Sequence, residues 1–94
     1  MYLFSYGSNT NEDHLKKFVK AIYITNGKLK DYKLYFNHLF IYANIVTEIG
    51  KVTHGTIHKI ASITNKLEAK EIMCKLIDVD IIGDDNNNYK CKTY

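Results

Sequence analysis

The chain has 94 residues, of which 46% are hydrophobic and 24% charged, as in an ordinary globular protein. At this length we expect one small folded domain over residues 1–94, with a modest core. All 13 basic residues are lysines, they are spread along the chain, and the net charge is only +3, so no nucleic-acid-binding surface is predicted.

The sequence also argues against membrane and disulfide-rich classes. Its apolar runs are far shorter than the roughly 20 residues of a membrane span, and its first residues lack the features of a secretory signal. We therefore predict a cytoplasmic protein without membrane contacts. Cys74 and Cys91 are too few and too far apart for a disulfide framework or a zinc site, so we expect reduced thiols.

The first elements are predicted as a strand and a helix. Tyr2–Tyr6 is an apolar run typical of a buried strand. Asn11 is a suitable N-cap, and we predict a helix from there through Lys20. Ala21–Thr25 is ambiguous between the end of this helix and a second strand, and Asn26-Gly27 predicts a turn.

Three further strands are expected in the middle of the chain. Large and polar residues alternate over Tyr32–Phe36, Tyr42–Glu48 and Val52–Ile60. Gly50 is expected to break the run between the last two. His54 and His58 lie four apart on an extended segment, so both face one side of a sheet. A metal would need at least one more ligand, so we interpret them as a surface or half-buried pair and predict no metal site.

The last third of the chain completes the predicted fold. A second helix is expected from Ser62 or Thr64 to Met73, followed by strands over Leu76–Ile82 and Tyr89–Tyr94 that a polar hairpin loop joins. The predicted order is β-α-β-β-β-α-β-β. With most strands joined by hairpins, the fold class is α+β, a single small mixed β-sheet or barrel that carries two helices.

The segment Tyr6-Gly7-Ser8-Asn9 is the first candidate site. It follows an apolar strand directly, and such a turn leaves backbone N–H groups free to hold a carboxylate or a developing oxyanion. Gly7 adds backbone freedom, and Ser8 and Asn9 add a hydroxyl and an amide. The alternative is an ordinary strand-to-loop turn without a binding role.

Glu71 is the second candidate. Ile63, Leu67, Glu71 and Cys74 form a single stripe of the second helix, and the other members of the stripe are apolar. Burial would raise the pKa of the Glu71 carboxyl toward neutrality, as a general acid/base at pH 7 requires. The alternative is that the helix frays there and leaves Glu71 in solvent at its rim.

Several motifs, in order, resemble the γ-glutamylcyclotransferase family. The family opens with Y-G-S-N, which stands here at Tyr6–Asn9, and continues with L-x-D-[FY]-x-L-x-F, matched by Leu29–Phe36. A later strand pattern around V-x-G is matched by Val52–Ile60 with a one-residue offset. The family's L-D-x-x-E helix, whose last glutamate is catalytic, is matched by Leu67–Glu71, with Glu68 in place of the aspartate.

The resemblance implies a γ-glutamylcyclotransferase-like fold and an enzyme that converts a γ-glutamyl amine or amino acid to 5-oxoproline and the free amine. It implies Glu71 as the general acid/base and the turn as the oxyanion or carboxylate site, with no metal and no organic cofactor. The implied substrate-binding residues are Leu3, Phe4, Ser5, Tyr6, Gly7, Ser8 and Asn9.

This chain also departs from the family pattern. Cys74 stands where a tyrosine is often found, and family members usually continue past the strand that Tyr89–Tyr94 resembles. A domain that is short at its C-terminus leaves room for a homodimer in which a second chain completes the pocket. The same departures support an alternative function, a non-catalytic binding or interaction protein on the same scaffold.

Overall fold

A computed structural model describes residues 1–7, 10–37, 42–70 and 76–94. In this part of the chain five strands and two short helices alternate. They are β1 (Tyr2–Ser5), α1 (Glu12–Leu15), β2 (Ala21–Asn37), β3 (Tyr42–Ile60), α2 (Asn65–Lys70), β4 (Ile77–Gly83) and β5 (Asn88–Thr93).

The strands form a closed barrel in the order β1-β3-β2-β4-β5. Neighbouring strands are antiparallel except β1 and β5, which pair in parallel through Tyr2↔Cys91 and Leu3↔Lys92 and so close the barrel. The predicted α+β class, a mixed sheet or barrel with two helices, is confirmed.

The predicted number of strands is wrong in the middle of the chain, where the long strands β2 and β3 replace the three predicted strands and the ambiguous segment Ala21–Thr25. Asn26-Gly27 does not turn the chain but lies within β2, where Gly27 pairs with Gly83 of β4. Gly50 does not break β3 either. It has a φ of 86°, and its N–H donates to Asp31 Oδ1 at 3.0 Å, beside a register shift between the two strands. This bulge bends the pair without ending it.

The first helix is shorter than predicted. Asn11 is its N-cap, as expected, and its side chain accepts hydrogen bonds from Asp13 N and His14 N. The α-helix ends at Leu15 because the next N–H groups bond three residues back, Lys17 N to His14 O and Phe18 N to Leu15 O. The chain then enters β2, where Ile22 is 65% exposed.

Two apolar clusters lie on opposite faces of the sheet, because successive strand residues point to opposite sides. One, the helix-side cluster, lies beneath the helices, and the other, the barrel cluster, fills the barrel. Buried members of the helix-side cluster are Leu3, Leu15, Val19, Ala21, Ile60 and Leu67. Those of the barrel cluster are Phe4, Leu29, Ile57, Val79, Ile81 and Cys91.

His58 is the unexpected member of the buried core. It was interpreted as a surface or half-buried residue, but its side chain is 0% exposed. In the described part of the chain neither ring nitrogen has a hydrogen-bond partner, and the Tyr23 ring stands edge-on to the imidazole at 5.7 Å. Burial lowers the pKa of His58 below its ordinary 6.5, and Lys16 adds to this while Glu12 opposes it.

At Gly55, β3 packs tightly against β1. A Cβ at this position would lie 2.2 Å from the Ser5 carbonyl oxygen of β1 and 2.7 Å from the Phe4 ring. Gly50, in the same strand, has no atom within 4 Å of such a Cβ. Gly55 is therefore required by packing, whereas Gly50 is favoured only by its backbone conformation.

We predict that His58 makes the folded protein sensitive to acid. Folding lowers the pKa of His58. As the pH falls through 6.5, His58 therefore binds a proton in the unfolded chain but not yet in the folded chain. The free energy of unfolding should fall there by up to about 1.4 kcal/mol per pH unit. Urea denaturation between pH 8 and pH 5 would measure this slope.

The matched variants are His58→Phe, which should lose this part of the slope, and His54→Phe at an exposed position, which should keep it. An unchanged slope in His58→Phe would show that another group causes the acid sensitivity.

We also predict unequal costs for two glycine substitutions in β3. Gly55→Ala should lower the free energy of unfolding by about 3 kcal/mol, since backbone atoms must move. Gly50→Ala should cost only about 1–2 kcal/mol, the penalty of a left-handed alanine. Urea denaturation of both variants would test this, and equal costs would contradict the packing argument.

Candidate active site

The predicted turn begins where β1 ends. Tyr6 and Gly7 follow directly after Ser5, and Gly7 O accepts hydrogen bonds from Thr10 N at 3.0 Å and from Thr10 Oγ1 at 2.8 Å. Thr10 in turn lies just before the N-cap of α1. The turn therefore leads from the barrel wall to the first helix. Ser8 and Asn9, the other two residues of the motif, lie outside the described residues.

The start of the turn is held in place by the last two residues of the sequence. Thr93 Oγ1 donates a buried hydrogen bond to Phe4 O at 2.8 Å, and the Tyr6 hydroxyl donates to Tyr94 O. On its other side β1 pairs with β3 up to Ser5↔Thr56. Sequence reasoning missed Thr93 and Tyr94, because no local pattern signals a contact between residues almost 90 positions apart.

The first three predicted binding residues have buried side chains. Leu3 packs in the helix-side cluster and Phe4 in the barrel cluster, and both are 1% exposed. Ser5 is buried as well. The backbone of all three is paired with β3. The predicted roles of Leu3, Phe4 and Ser5 in substrate binding stay predictions.

Thr64, one of the two predicted starting residues of the second helix, anchors the start of α2. Thr64 Oγ1 accepts from Leu67 N at 3.2 Å and donates to Phe18 O at 2.6 Å, which ties the start of α2 to the turn after α1. Leu67 is fully buried and Ile63 packs against the helix-side cluster. The apolar stripe is therefore present up to Leu67. Glu71 and Cys74 lie outside the described residues, and the predicted role of Glu71 stays a prediction.

A groove of about 720 Å³ lies beside the barrel cluster, between β2 and β4 and over the first residues of β5. We call it the β2–β4 groove. Its volume is within the range of small-molecule sites. Sequence reasoning missed it, since it depends on how two strands diverge. Its lining residues are Leu29, Lys30, Tyr32, Asp78, Val79, Asp80, Ile82, Asn88, Tyr89 and Lys90.

The groove combines an apolar floor with charged residues of both signs. Asp78 is already paired, since Lys92 Nζ lies 2.5 Å from its Oδ1. Asp80 lies opposite Lys90 in the ladder of β4 and β5, and Lys30 is exposed on β2. The lining therefore carries two ammonium groups, Lys30 and Lys90, and two carboxylates, Asp78 and Asp80.

Two further properties concern metals and membranes. Within the described ranges no group of three or more His, Cys, Asp or Glu side chains could hold a metal ion. In the same ranges no helix has the length and apolar character needed to cross a membrane.

Cys91 is a free, buried thiol whose pKa is raised to about 12 by burial, with a smaller contribution from Asp80.

Comparison with known proteins identifies the fold. No protein-family profile and no curated protein matches the sequence. Among solved structures, all of this chain superposes on 64% of a γ-glutamyl cyclotransferase, with a TM-score of 0.86 and 21% identity.

Two further structures agree. An uncharacterized protein from Homo sapiens matches 99% of this chain over 64% of its own length, with a TM-score of 0.85 and 23% identity. A protein from Arabidopsis thaliana matches 99% over 66% of its own length, with a TM-score of 0.72 and 20% identity. The chain thus spans less than two thirds of each, and it has the fold of these proteins.

Proposed function

We propose that this chain catalyses the cyclisation of a γ-glutamyl compound, releasing 5-oxoproline and a free amine. The observation that carries the proposal is the position of the Tyr6-Gly7 turn at the end of β1, in a barrel that superposes along its whole length on a γ-glutamyl cyclotransferase. The ordered motifs from Tyr6–Asn9 to Leu67–Glu71 support the same reaction.

The chemistry needs few protein groups because it is intramolecular. The α-amine of the γ-glutamyl group loses a proton and attacks its own γ-carbonyl carbon. A new C–N bond closes the five-membered ring, the original amide C–N bond breaks, and the leaving nitrogen takes up a proton. The protein has only to fold the substrate, move protons and stabilise the oxyanion.

The proposed roles follow from the residue types. The Glu71 carboxylate takes the proton from the α-ammonium group and returns a proton to the leaving nitrogen. Backbone N–H groups of Tyr6, Gly7 and Ser8 stabilise the oxyanion or hold the α-carboxylate. Rigid support favours this, because an oxyanion donor helps most when it is already in place. The bonds from Thr93 to Phe4 and from Tyr6 to Tyr94 hold the strand that leads into the turn.

We predict that Glu71→Gln will lose the activity while remaining folded. The amide is nearly isosteric with the carboxylate but cannot shuttle protons, so kcat/KM should fall by about 10²- to 10⁴-fold. The measurement is 5-oxoproline release from a panel of γ-glutamyl amines and amino acids.

Glu68→Gln is the matched control, since it removes the same charge three residues earlier in the sequence and should keep most of the activity. Equal activity of native chain and Glu71→Gln would remove Glu71 from the mechanism. If the folded native chain releases no 5-oxoproline from any substrate, the alternative of a non-catalytic binding protein replaces this proposal.

A further inference from the structure

We propose that the β2–β3 ribbon binds the surface of membranes that contain anionic lipids. The ribbon consists of residues 28–37 of β2 and 42–54 of β3, which in the described part of the chain pair with each other and, at Lys28 alone, with β4. The expectation of a protein without membrane contacts rested on the lack of a spanning segment, and a surface contact needs none. The inference uses neither the turn nor Glu71, so it is independent of the proposed reaction.

The register of the ribbon brings together three lysines that are scattered in the sequence. Directly opposed residues of two antiparallel strands point to the same face of the sheet. Lys28 and Lys30 share a face because they are two residues apart. The register shift after Lys30 adds one residue to β2, so Lys33 returns to that face. The opposed pairs on this face are Lys28↔His54, Lys30↔Val52 and Lys33↔Val46.

This face of the ribbon points away from the barrel. Leu29 and Thr53, which form the intervening pair on the other face, are both buried. Tyr32 and Ile45 of that other face pack against the barrel cluster. On the outward face the three lysines are exposed, as are the valines opposite two of them. Ile49, in the bulge between these valines, is 89% exposed.

The ribbon carries an excess of positive charge. Its charged residues are four lysines and two acids, Lys28, Lys30, Lys33, Lys51, Asp31 and Glu48. Asp31 Oδ1 accepts a hydrogen bond from Gly50 N within the bulge. The neighbouring β4–β5 hairpin leaves this balance unchanged between residues 78 and 92, since Asp78 and Asp80 oppose Lys92 and Lys90 in its ladder. The charge of the ribbon is therefore complementary to an anionic surface.

The exposed apolar side chains favour lipid over nucleic acid. Proteins that bind single-stranded nucleic acids combine basic residues with aromatic rings that stack on the bases. In the described part of the ribbon the exposed apolar residues beside the lysines are aliphatic, Val46, Ile49 and Val52. Aliphatic side chains can enter the boundary between lipid headgroups and acyl chains, while lysines beside them keep their ammonium groups at the level of the phosphates.

The test is co-sedimentation of the full chain with vesicles of phosphatidylcholine, with or without phosphatidylserine. We expect binding only to the vesicles with phosphatidylserine, and loss of binding at high salt, because salt screens the attraction. Lys28→Gln/Lys33→Gln should weaken the binding about 25-fold, since each ammonium group near an anionic surface contributes about fivefold. Lys20→Gln/Lys66→Gln, which removes two exposed lysines outside the ribbon, should leave it unchanged.

A third variant tests the apolar part of the contact. Ile49→Ser changes a side chain that is 89% exposed, so the fold should be kept, and circular dichroism would verify this. The variant should bind the phosphatidylserine vesicles about tenfold more weakly, because one aliphatic side chain no longer enters the lipid boundary. Unchanged binding of this variant would contradict insertion and overturn the proposal.

The remaining outcomes also decide. Failure of the native chain to bind the anionic vesicles, or equal binding to vesicles of phosphatidylcholine alone, would overturn the proposal. So would an equal loss of binding in both double lysine variants, or binding of a single-stranded oligonucleotide in place of vesicles. Vesicle binding by a chain that releases no 5-oxoproline would overturn the proposed reaction and leave this inference in place.

Discussion

Parallel pairing of the two ends of the described sheet is the constraint on which this fold depends. β1 is the first strand and β5 the last, and each would be an edge strand if they did not meet. Their pairing through Tyr2↔Cys91 closes the barrel and gives β1 a neighbour on both sides. An edge strand with unpaired N–H groups would be a poor support for a turn that must hold its own backbone donors in one direction.

Three contacts from other parts of the chain meet at three consecutive residues, Phe4, Ser5 and Tyr6. Phe4 O is bonded to Thr93, Ser5 O lies against Gly55, and the Tyr6 hydroxyl reaches Tyr94 O. Two of these contacts join residues 89 and 88 positions apart in the sequence. They are present together only in the closed barrel, so the support of the strand that leads into the turn depends on the folding of the whole domain.

The two faces of the sheet have different tasks. The helix-side cluster lies beneath the helices. His58, which is paired with Leu3 in the ladder of β1 and β3, is buried on that side, and its imidazole has no described hydrogen-bond partner, which costs stability. The barrel cluster is open where β2 and β4 diverge, and the lining there mixes apolar and charged groups. The second face is therefore the one that a ligand in the β2–β4 groove would contact.

Local signals in the sequence predicted local structure well. Asn11 caps α1, the apolar stripe of α2 holds as far as Leu67, and β1 and the last hairpin lie within a residue or two of their predicted positions. The predictions at Gly50 and Asn26-Gly27 were wrong, because a glycine within a strand can mark a bulge or a close approach of two backbones as well as the end of the strand.

What the sequence could not indicate depends on pairing between distant segments. The support of Phe4 by Thr93 and the groove beside Leu29 both require the order of strands in the barrel, and helical or strand periodicity carries no information on that order. The burial of His58 has the same origin. Its alternation marks a face of the sheet, but only the position of the helices decides whether that face is covered.

The proposed reaction suits a barrel with so few functional groups. In a bimolecular transfer the protein must bind and activate a separate nucleophile, but in cyclisation the substrate brings its own amine. Holding the amine and the carbonyl in contact can lower the activation free energy by roughly 7–11 kcal/mol, as in well-oriented intramolecular reactions. A rigid turn and one carboxylate are then enough for the rest. In the proposed reaction a chain without arginine would meet that requirement through positioning, and the side chains of Thr93 and Tyr6 hold the strand that leads into the turn.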